Sequence, residues 1–503
     1  MLSAFSNVFK IPELRQRILF TLAMIIIVRI GAAITLPGVD ATVIQEWIQA
    51  KADGDGAGQQ LGALFNIFSG GGLTNCAIFS LGIMPYISAS IMMQLMTAIV
   101  PKLSKLARED GGRQKITMYT RYITILLCLV QGYFVAKSLV NPANNIFLPG
   151  IAELSEQIDK PLVPNGGWGF IALTILTITA GTMVLMWLGE QITERGIGNG
   201  ISIIICVNII SSLPGTLVMV WKTYVGGEDA TPIDSMKLVM LVVVLLLVTA
   251  GVIALTQAMR RIPIRHAKRV VGRQMMGSQQ TYLPLKVNYA GVMPIIFAST
   301  ILLFPATILA QLFPNSDFAR SIGDSLNNGG WPYYVVSALL IFFFSYFWVA
   351  TMFKPAEIAD DLKRRNGYVP GVRPGKPTAD FLDFTMSRLT FAGALFLTML
   401  YLMPYVLGAA FKIPSQTLQI FGGTSLLIMV GVLLDSMRQV ETHLLQRHYD
   451  GFLKKGRIRG RNDRTRPSGG GSVASGATVI WLWVAIAIIV LLACCYIIYR
   501  NMA

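Results

Sequence analysis

Long apolar runs constrain this chain more than any other feature of its sequence. Ten runs have about 20 residues, the length that an α-helix needs to cross the hydrocarbon core of a bilayer. They lie at 18–36, 76–99, 117–136, 168–189, 197–213, 238–257, 289–312, 332–353, 386–407 and 418–437, and an eleventh lies at 478–498. The composition agrees, because 53% of the residues are hydrophobic and only 14% are charged. The sequence therefore predicts an all-α polytopic membrane protein.

Two of these runs contain nearly the same nine residues. Gly82–Ser90 and Gly291–Ser299 agree at six of nine positions, and they lie in the second and seventh runs. Five crossings separate the copies, so the second copy is turned upside down relative to the first. Inverted repeats place a translocation path at their mutual interface. The alternative is a coincidence between two segments that are both rich in methionine and glycine.

Lysine and arginine give the orientation in the membrane. Nearly all of the net charge of +16 comes from segments on the side of the N-terminus, which the positive-inside rule places in the cytoplasm. The first run contains Arg29 and precedes no convincing small-residue cleavage site, which favours an uncleaved signal-anchor helix. Arg29 lies about two turns before Pro37, so we expect it to snorkel to the outer interface.

The sequence offers no chemistry that a catalytic or ion-coupled protein would need. The five cysteines lie within or at the ends of apolar runs, and the three histidines have no acidic or thiol partner at ligand spacing. The helix centres contain no Asp or Glu, which a proton-coupled or ion-coupled carrier would need. These patterns predict a passive conduit with no enzymatic activity, no metal and no cofactor.

A short apolar segment precedes the second run on the outer side. It is too short to span the membrane, and three glycines at its end supply hinge freedom. It could fold back as a movable plug, or it could be an ordinary interfacial helix. Its residues are Leu64, Phe65, Asn66, Ile67, Phe68, Ser69, Gly70, Gly71 and Gly72.

Branched apolar residues recur one helical turn apart in three of the predicted helices. On a single face they could form a constriction that seals by dewetting. Taken alone, they could equally face lipid, which is the commoner environment for isoleucine in a membrane helix. The pairs are Ile83 and Ile87, Ile201 and Ile205, and Val292 and Ile296.

Two large cytoplasmic loops are suited to an anionic or acidic partner. Residues 258–288 carry seven cations and no acid, and residues 354–385 contain a Pro/Gly turn, 369–375, that holds Arg373 away from the membrane. The positive-inside bias alone would explain the excess of charge, but it would not explain the shaped turn.

Six motifs in collinear order resemble the SecY family, whose members are pore subunits of the protein-conducting channel. The resemblance extends to about Arg461 and is of bacterial or plastid type. The motifs are Gly82–Ile91, Tyr119–Tyr122, Gly189–Ser202, Leu283–Asn288, Pro370–Gly375 and Phe421–Ile428.

The resemblance implies a ten-helix clamshell of two inverted five-helix repeats, 1–213 and 214–461, with the plug near 62–74. It implies a lateral gate between runs 2 and 3 on one side and runs 7 and 8 on the other, with Ser88, Gln94 and Ser299 at the seam. Apolar segments would leave through this gate into lipid. The implied pore ring consists of Ile83, Ile87, Ile201, Ile205, Ile296 and Ile428.

The resemblance also implies partners. SecE and SecG would be companion subunits, and the substrates would be signal sequences and nascent polypeptides that contact membrane lipids. The ribosome, through RNA and protein at its exit tunnel, or the motor ATPase SecA would bind the cytoplasmic loops. The expected contacts are Arg260, Arg261, Arg265, Lys268, Arg269 and Arg373.

The chain departs from the family pattern after Arg461. A basic and then Gly/Ser-rich linker, 462–477, leads to the eleventh run, 478–498. The linker could be natural or a cloning remnant, and the run could be an accessory helix or a simple anchor. We expect a natural appended helix that places the C-terminus outside, in a bacterial inner-membrane protein with a cytoplasmic N-terminus. The alternative function is an inverted-repeat secondary transporter of a small solute.

Overall fold

A computed structural model describes most of the chain up to residue 454. The described residues are 12–44, 46–47, 69–109, 111–141, 151, 161–164, 166–221, 224, 232–266, 270–271, 274–275, 281–299, 301–302, 331–411 and 423–454. Five predicted plug residues (64–68), Lys268, Arg269, the linker 462–477 and the run 478–498 lie outside them. The helices are α1 Pro12–Ala33, α2 Met84–Ile99, α3 Pro101–Arg108, α4 Gly112–Val140, α5 Trp168–Arg195, α6 Gly200–Trp221, α7 Pro232–Gln257, α8 Trp331–Met352, α9 Pro355–Arg364, α10 Lys376–Phe411 and α11 Gly423–Lys454.

Seven helical spans in the described residues are long and apolar enough to cross a membrane. They correspond to α1, α4, α5, α6, α7, α8 and α10, and the bent pair α2–α3 can supply an eighth. The two other predicted runs are only partly described. Residues 293–299 and 301–302 are helical. Helix α11 has a short apolar part, because Asp435 begins a charged second half.

Helices α2 and α3 meet at a bend of 105°. The backbone N–H of Val100 closes α2 by donating to the Met96 carbonyl, and Val100 itself is extended (φ −90°, ψ 113°). Pro101 follows and disfavours the helical conformation at the residue before it. Lys102 and Lys105 belong to α3, so the apolar helix α2 leads directly into a short basic helix.

The repeated nine-residue motif adopts the same local structure twice. Gly82 and Gly291 both have a positive φ, of 56° and 65°, which a residue without a Cβ adopts readily. In each copy the helix begins two residues later, at residue 84 and at residue 293, and proline is its second residue. Pro is tolerated there because the first turn has no intrahelical acceptor for its missing N–H.

The loops 258–288 and 354–385 contribute to one small sheet, which the sequence did not predict. Strand β1 (Met259–His266) pairs antiparallel with β4 (Thr281–Lys286) and with β5 (Gly367–Tyr368), in the order β4-β1-β5. Strands β2 (Val270–Val271) and β3 (Gln274–Met275) form a separate antiparallel pair. The 258–288 and 354–385 loops therefore form one structural unit, joined where Arg265 lies opposite Tyr368.

The largest hydrophobic cluster runs through both halves of the chain. It takes buried side chains from α1, α2, α5, α6, α8, α10, α11, the 293–299 helix and the β4-β1-β5 sheet. A second cluster contains Leu36, Val135 and Ile178, all from the first half. A third contains Val252, Ile341 and Leu427, all from the second half. The first cluster is thus where residues of the two halves meet.

Candidate functional site

The structure gathers the six predicted ring isoleucines into the cluster that both halves share. Ile201 is partly buried, and the other five are buried, with exposed fractions of 2% to 8%. They come from three helices and the 293–299 helix, so no single helix could form this group alone. The members are Ile83, Ile87, Ile201, Ile205, Ile296 and Ile428.

Local backbone chemistry sets the positions of these isoleucines. Ile83 precedes α2, and its carbonyl accepts the hydrogen bond from the N–H of Ile87 at 3.0 Å, so the two lie one turn apart. Ile201 lies in the first turn of α6. The side-chain oxygen of Asn199 caps this turn by accepting from the N–H groups of Ile201 (3.1 Å) and Ser202 (3.4 Å). Gly189 of α5 allows close packing, since a Cβ there would lie 3.2 Å from Ile201 Cγ1.

The described end of the predicted plug, Ser69–Gly72, forms a hydrogen-bonded turn. Gly70 and Gly71 have φ values of 66° and 87°, and the N–H of Gly72 donates to the Ser69 carbonyl. Arg29 of α1 donates from Nη1 to the carbonyl oxygen of Gly70 at 2.9 Å. Arg29 therefore forms a hydrogen bond within the protein. The sequence had suggested instead that its side chain would snorkel to the interface. The difference arises because a carbonyl from a segment 41 residues away satisfies the guanidinium.

The three predicted gate residues make their hydrogen bonds within their own helices. Ser88 Oγ donates to the Met84 carbonyl, and Ser299 Oγ donates to the Ile296 carbonyl, both at 3.0 Å. Gln94 Nε2 donates to Ser90 Oγ at 3.2 Å. Within the described residues, these hydrogen bonds therefore do not join the two sides of the predicted seam.

An aromatic stack that the sequence analysis did not identify joins the 293–299 helix to α8. The ring of Phe297 stacks on Phe344 with centroids 5.4 Å apart and lies 5.3 Å from Trp348. Phe297 occupies the position of Ser88 in the repeat. The signal in the sequence was therefore a difference between the two copies of the repeat, Ser88 in the first and Phe297 in the second. The stack fastens the two helices on the second half's side of the predicted gate.

An ion pair fastens two helices of the first half. Arg121 of α4 donates from Nε and Nη2 to the two carboxylate oxygens of Glu190 in α5, at 3.2 and 2.6 Å. Both residues lie in the motifs that carry the family resemblance, but no local sequence pattern predicts their pairing. Such a bidentate contact fixes the relative position of two helices more firmly than a single bond does.

The described cations predicted to bind partners lie on strand β1 of the small sheet and on the turn 369–375. Arg260, Arg261 and Arg265 are exposed on β1, while Ile262 and Ile264 between them are buried. Arg373 is also exposed. Its carbonyl accepts from Thr378 Oγ1 at 2.8 Å, and the buried Val369 anchors the start of its turn.

Within the described residues, no group of three or more His, Cys, Asp or Glu side chains could hold a metal ion. The shared cluster is instead apolar, and Leu73, which follows the glycine turn at Ser69–Gly72, belongs to it. A family model for SecY matches residues 77–437, more than two thirds of the chain. The chain belongs to the SecY family.

SecY relatives match almost their whole length. The chain is 42% identical over 460 residues to the protein translocase subunit SecY of Streptomyces galbus, covering 90% of this chain and 100% of that one. It is 40% identical over 462 residues to the SecY subunit of Thermotoga maritima, covering 92% and 100%. The chain is accordingly a pore subunit of the Sec protein-conducting channel, a family of channel subunits and not of enzymes.

Solved structures give the same fold. One, described as a protein conducting channel, has a TM-score of 0.54 at 17% identity, covering 90% of this chain and 99% of the other. A second is Sec61 in the canine ribosome–channel complex from the endoplasmic reticulum, with a TM-score of 0.52 at 16% identity and coverage of 90% and 99%. The SecY chain described here is therefore a multi-pass membrane protein with the SecY/Sec61 fold.

Proposed function

We propose that this chain passes unfolded secretory polypeptides through a constriction made by its six clustered isoleucines. The observation that carries the proposal is that Ile83, Ile87, Ile201, Ile205, Ile296 and Ile428 come from both halves and pack in one apolar cluster. A constriction of branched apolar side chains excludes water at rest. It makes no specific polar contacts, so it can close around chains of any sequence.

The segment near 62–74 is the plug in this proposal, and the seam between the halves is the lateral gate. The glycine turn at Ser69–Gly72 supports the first assignment, because it provides a hinge at the end of the segment. The Phe297 stack and the Arg121–Glu190 pair support the second. Each fastens helices within one half, so the halves can separate as units, releasing apolar segments into lipid.

The energy for movement comes from partners in this proposal. The ribosome or SecA would bind the exposed cations of β1 and the Arg373 turn, where Lys268 and Arg269 would add to the basic surface. SecE and SecG would complete the channel. We place the chain in the bacterial inner membrane with a cytoplasmic N-terminus, 1–213 and 214–461 being the two halves and 478–498 an appended helix.

Reconstitution tests the proposed function. Proteoliposomes that hold the full chain with SecE and SecG should take up a secretory precursor only when SecA and ATP, or a translating ribosome, are supplied. Saturable uptake of a small solute without either partner would instead support an inverted-repeat secondary transporter and contradict the channel. A precursor with a disabled signal sequence is the matched negative substrate.

A further inference from the structure

Arg29 is a charged residue inside an otherwise apolar helix. It lies four residues before Ala33, the end of α1, which is about 6 Å along the helix axis. Arginine is rare in membrane segments and usually marks a functional contact, because removing its charge from water is unfavourable. Here its partner is the carbonyl oxygen of Gly70, at 2.9 Å.

Gly70 lies where three parts of the protein converge. A Cβ at this position would come within 2.8 Å of Arg29 Nη1 and 2.5 Å of the side-chain oxygen of Asn208. Asn208 belongs to α6, three residues after the ring residue Ile205. A side chain at residue 70 would displace Arg29 or Asn208, and the φ of 66° also favours glycine.

The plug's end is attached to α1 and its extension in two ways. Backbone hydrogen bonds join Leu36 N to the Cys76 carbonyl (2.8 Å) and Ile78 N to the Ile34 carbonyl (2.9 Å). The second attachment is the contact between Arg29 and Gly70. Between the two, the carbonyls of Gly71 and Gly72 accept hydrogen bonds from the N–H groups of Asn75 (3.1 Å) and Ala77 (2.7 Å), so residues 69–77 form one hydrogen-bonded unit. The first attachment consists of two backbone bonds, and the second is a side-chain hydrogen bond that one side-chain rotation can release.

We propose that Arg29 is a latch that holds the turn at Ser69–Gly72 in place in the closed channel. When the latch opens, residues 69–75 move as one hydrogen-bonded unit while the backbone pairing at residues 76–78 keeps them tethered. Because the carbonyl carries no net charge, release leaves no uncompensated counter-ion behind. The inference rests on the proposed function and adds the residue that sets the resting position of this end of the plug.

The test compares variants of the full chain, purified with SecE and SecG, in planar bilayers without substrate. Arg29→Met should raise the resting ion conductance about tenfold, since a hydrogen bond to a charged group contributes roughly that factor or more to an equilibrium. Arg29→Lys, which keeps one donor, should give a smaller increase. Gly70→Ala should also raise the resting ion conductance, because it perturbs the contact between Arg29 and Gly70 at the glycine.

Arg17→Met is the matched control. Arg17 also lies in α1 and donates to a glycine carbonyl, that of Gly196, at 3.3 Å, but it does not contact the plug segment. Its conductance should stay at the wild-type level. An equal leak in Arg17→Met would mean that any loosening of α1 opens the channel, and the latch would be wrong.

Wild-type conductance in Arg29→Met would overturn the proposal. If that variant fails to assemble, Gly70→Ala decides, because it keeps the guanidinium, and an unchanged leak there overturns the proposal equally. Ile428→Asn in the same bilayers distinguishes failure of the latch from failure of the proposed function. A leak from Ile428→Asn without one from Arg29→Met removes the latch and keeps the channel, whereas no partner-driven precursor uptake by the wild-type complex removes the proposed function itself.

Discussion

Replacing Ile428 with asparagine tests the seal most directly. The side chain is 5% exposed and packs in the cluster shared by both halves. Burying an isoleucine contributes about 1.5–3 kcal/mol, which the closed state would lose. An amide without a compensating partner adds about 1–3 kcal/mol of desolvation. Even about 3 kcal/mol in total would shift the balance between sealed and hydrated states about a hundredfold.

The assay is ion conductance of the reconstituted complex at rest, with export of a precursor carrying a weakened signal sequence as the second measurement. Both should rise in Ile428→Asn. Ile428→Leu, which conserves volume, should stay close to wild type. Leu427→Asn is the positional control, because Leu427 is 1% exposed in a separate cluster of the second half. It should lower the melting temperature without a leak, and an equal leak from both asparagine variants would refute the ring.

Three further predictions concern packing, pairing and docking. Gly181→Ala should lower the free energy of unfolding by about 1–3 kcal/mol, because the added Cβ would meet the Ile78 carbonyl. Gly169, in the same helix, has open space around it, so Gly169→Ala should be neutral or slightly stabilising in thermal unfolding. A double-mutant cycle of Arg121→Gln and Glu190→Gln, measured by chemical unfolding, should give a coupling free energy of about 1–2 kcal/mol, since the pair is bidentate but partly exposed. Additive effects of the two substitutions would contradict this prediction. Arg373→Glu should slow partner-driven export most strongly at low salt while leaving membrane insertion of the chain normal, and normal export would remove this residue from the docking surface.

Periodicity and motif spacing predicted the membrane class and the inverted repeat. The apolar runs required only the length of a helix and the thickness of a bilayer. The equivalence of Gly82 and Gly291 followed from two short identical patterns, and both glycines adopt a positive φ. Five of the six ring isoleucines were found the same way, because residues one turn apart share a helix face, whereas Ile428 came only from the resemblance to a family. That they meet across the halves came from the resemblance to a family.

The strands and the long-range polar contacts were harder to predict. Ile262 and Ile264 alternate with exposed residues as in a half-buried strand, but Pro263 argues against a strand because it cannot donate to the ladder. The partner of Arg29 lies 41 residues away, and Arg121 and Glu190 are 69 residues apart. No local pattern specifies such pairs, because they depend on how helices are placed by packing elsewhere.

The sheet formed by β4, β1 and β5 has a mechanical consequence. All three of its strands belong to the second half of the chain, and β1 begins two residues after α7 ends. Tyr289, three residues after β4, packs edge-on against Phe353 at the end of α8, with ring centroids 5.8 Å apart. The sheet is thus built on the second half, while Ile262 and Leu285 also pack in the cluster that both halves share. We therefore expect a load applied to the sheet to act first on the second half and to reach the seam between the halves through that cluster.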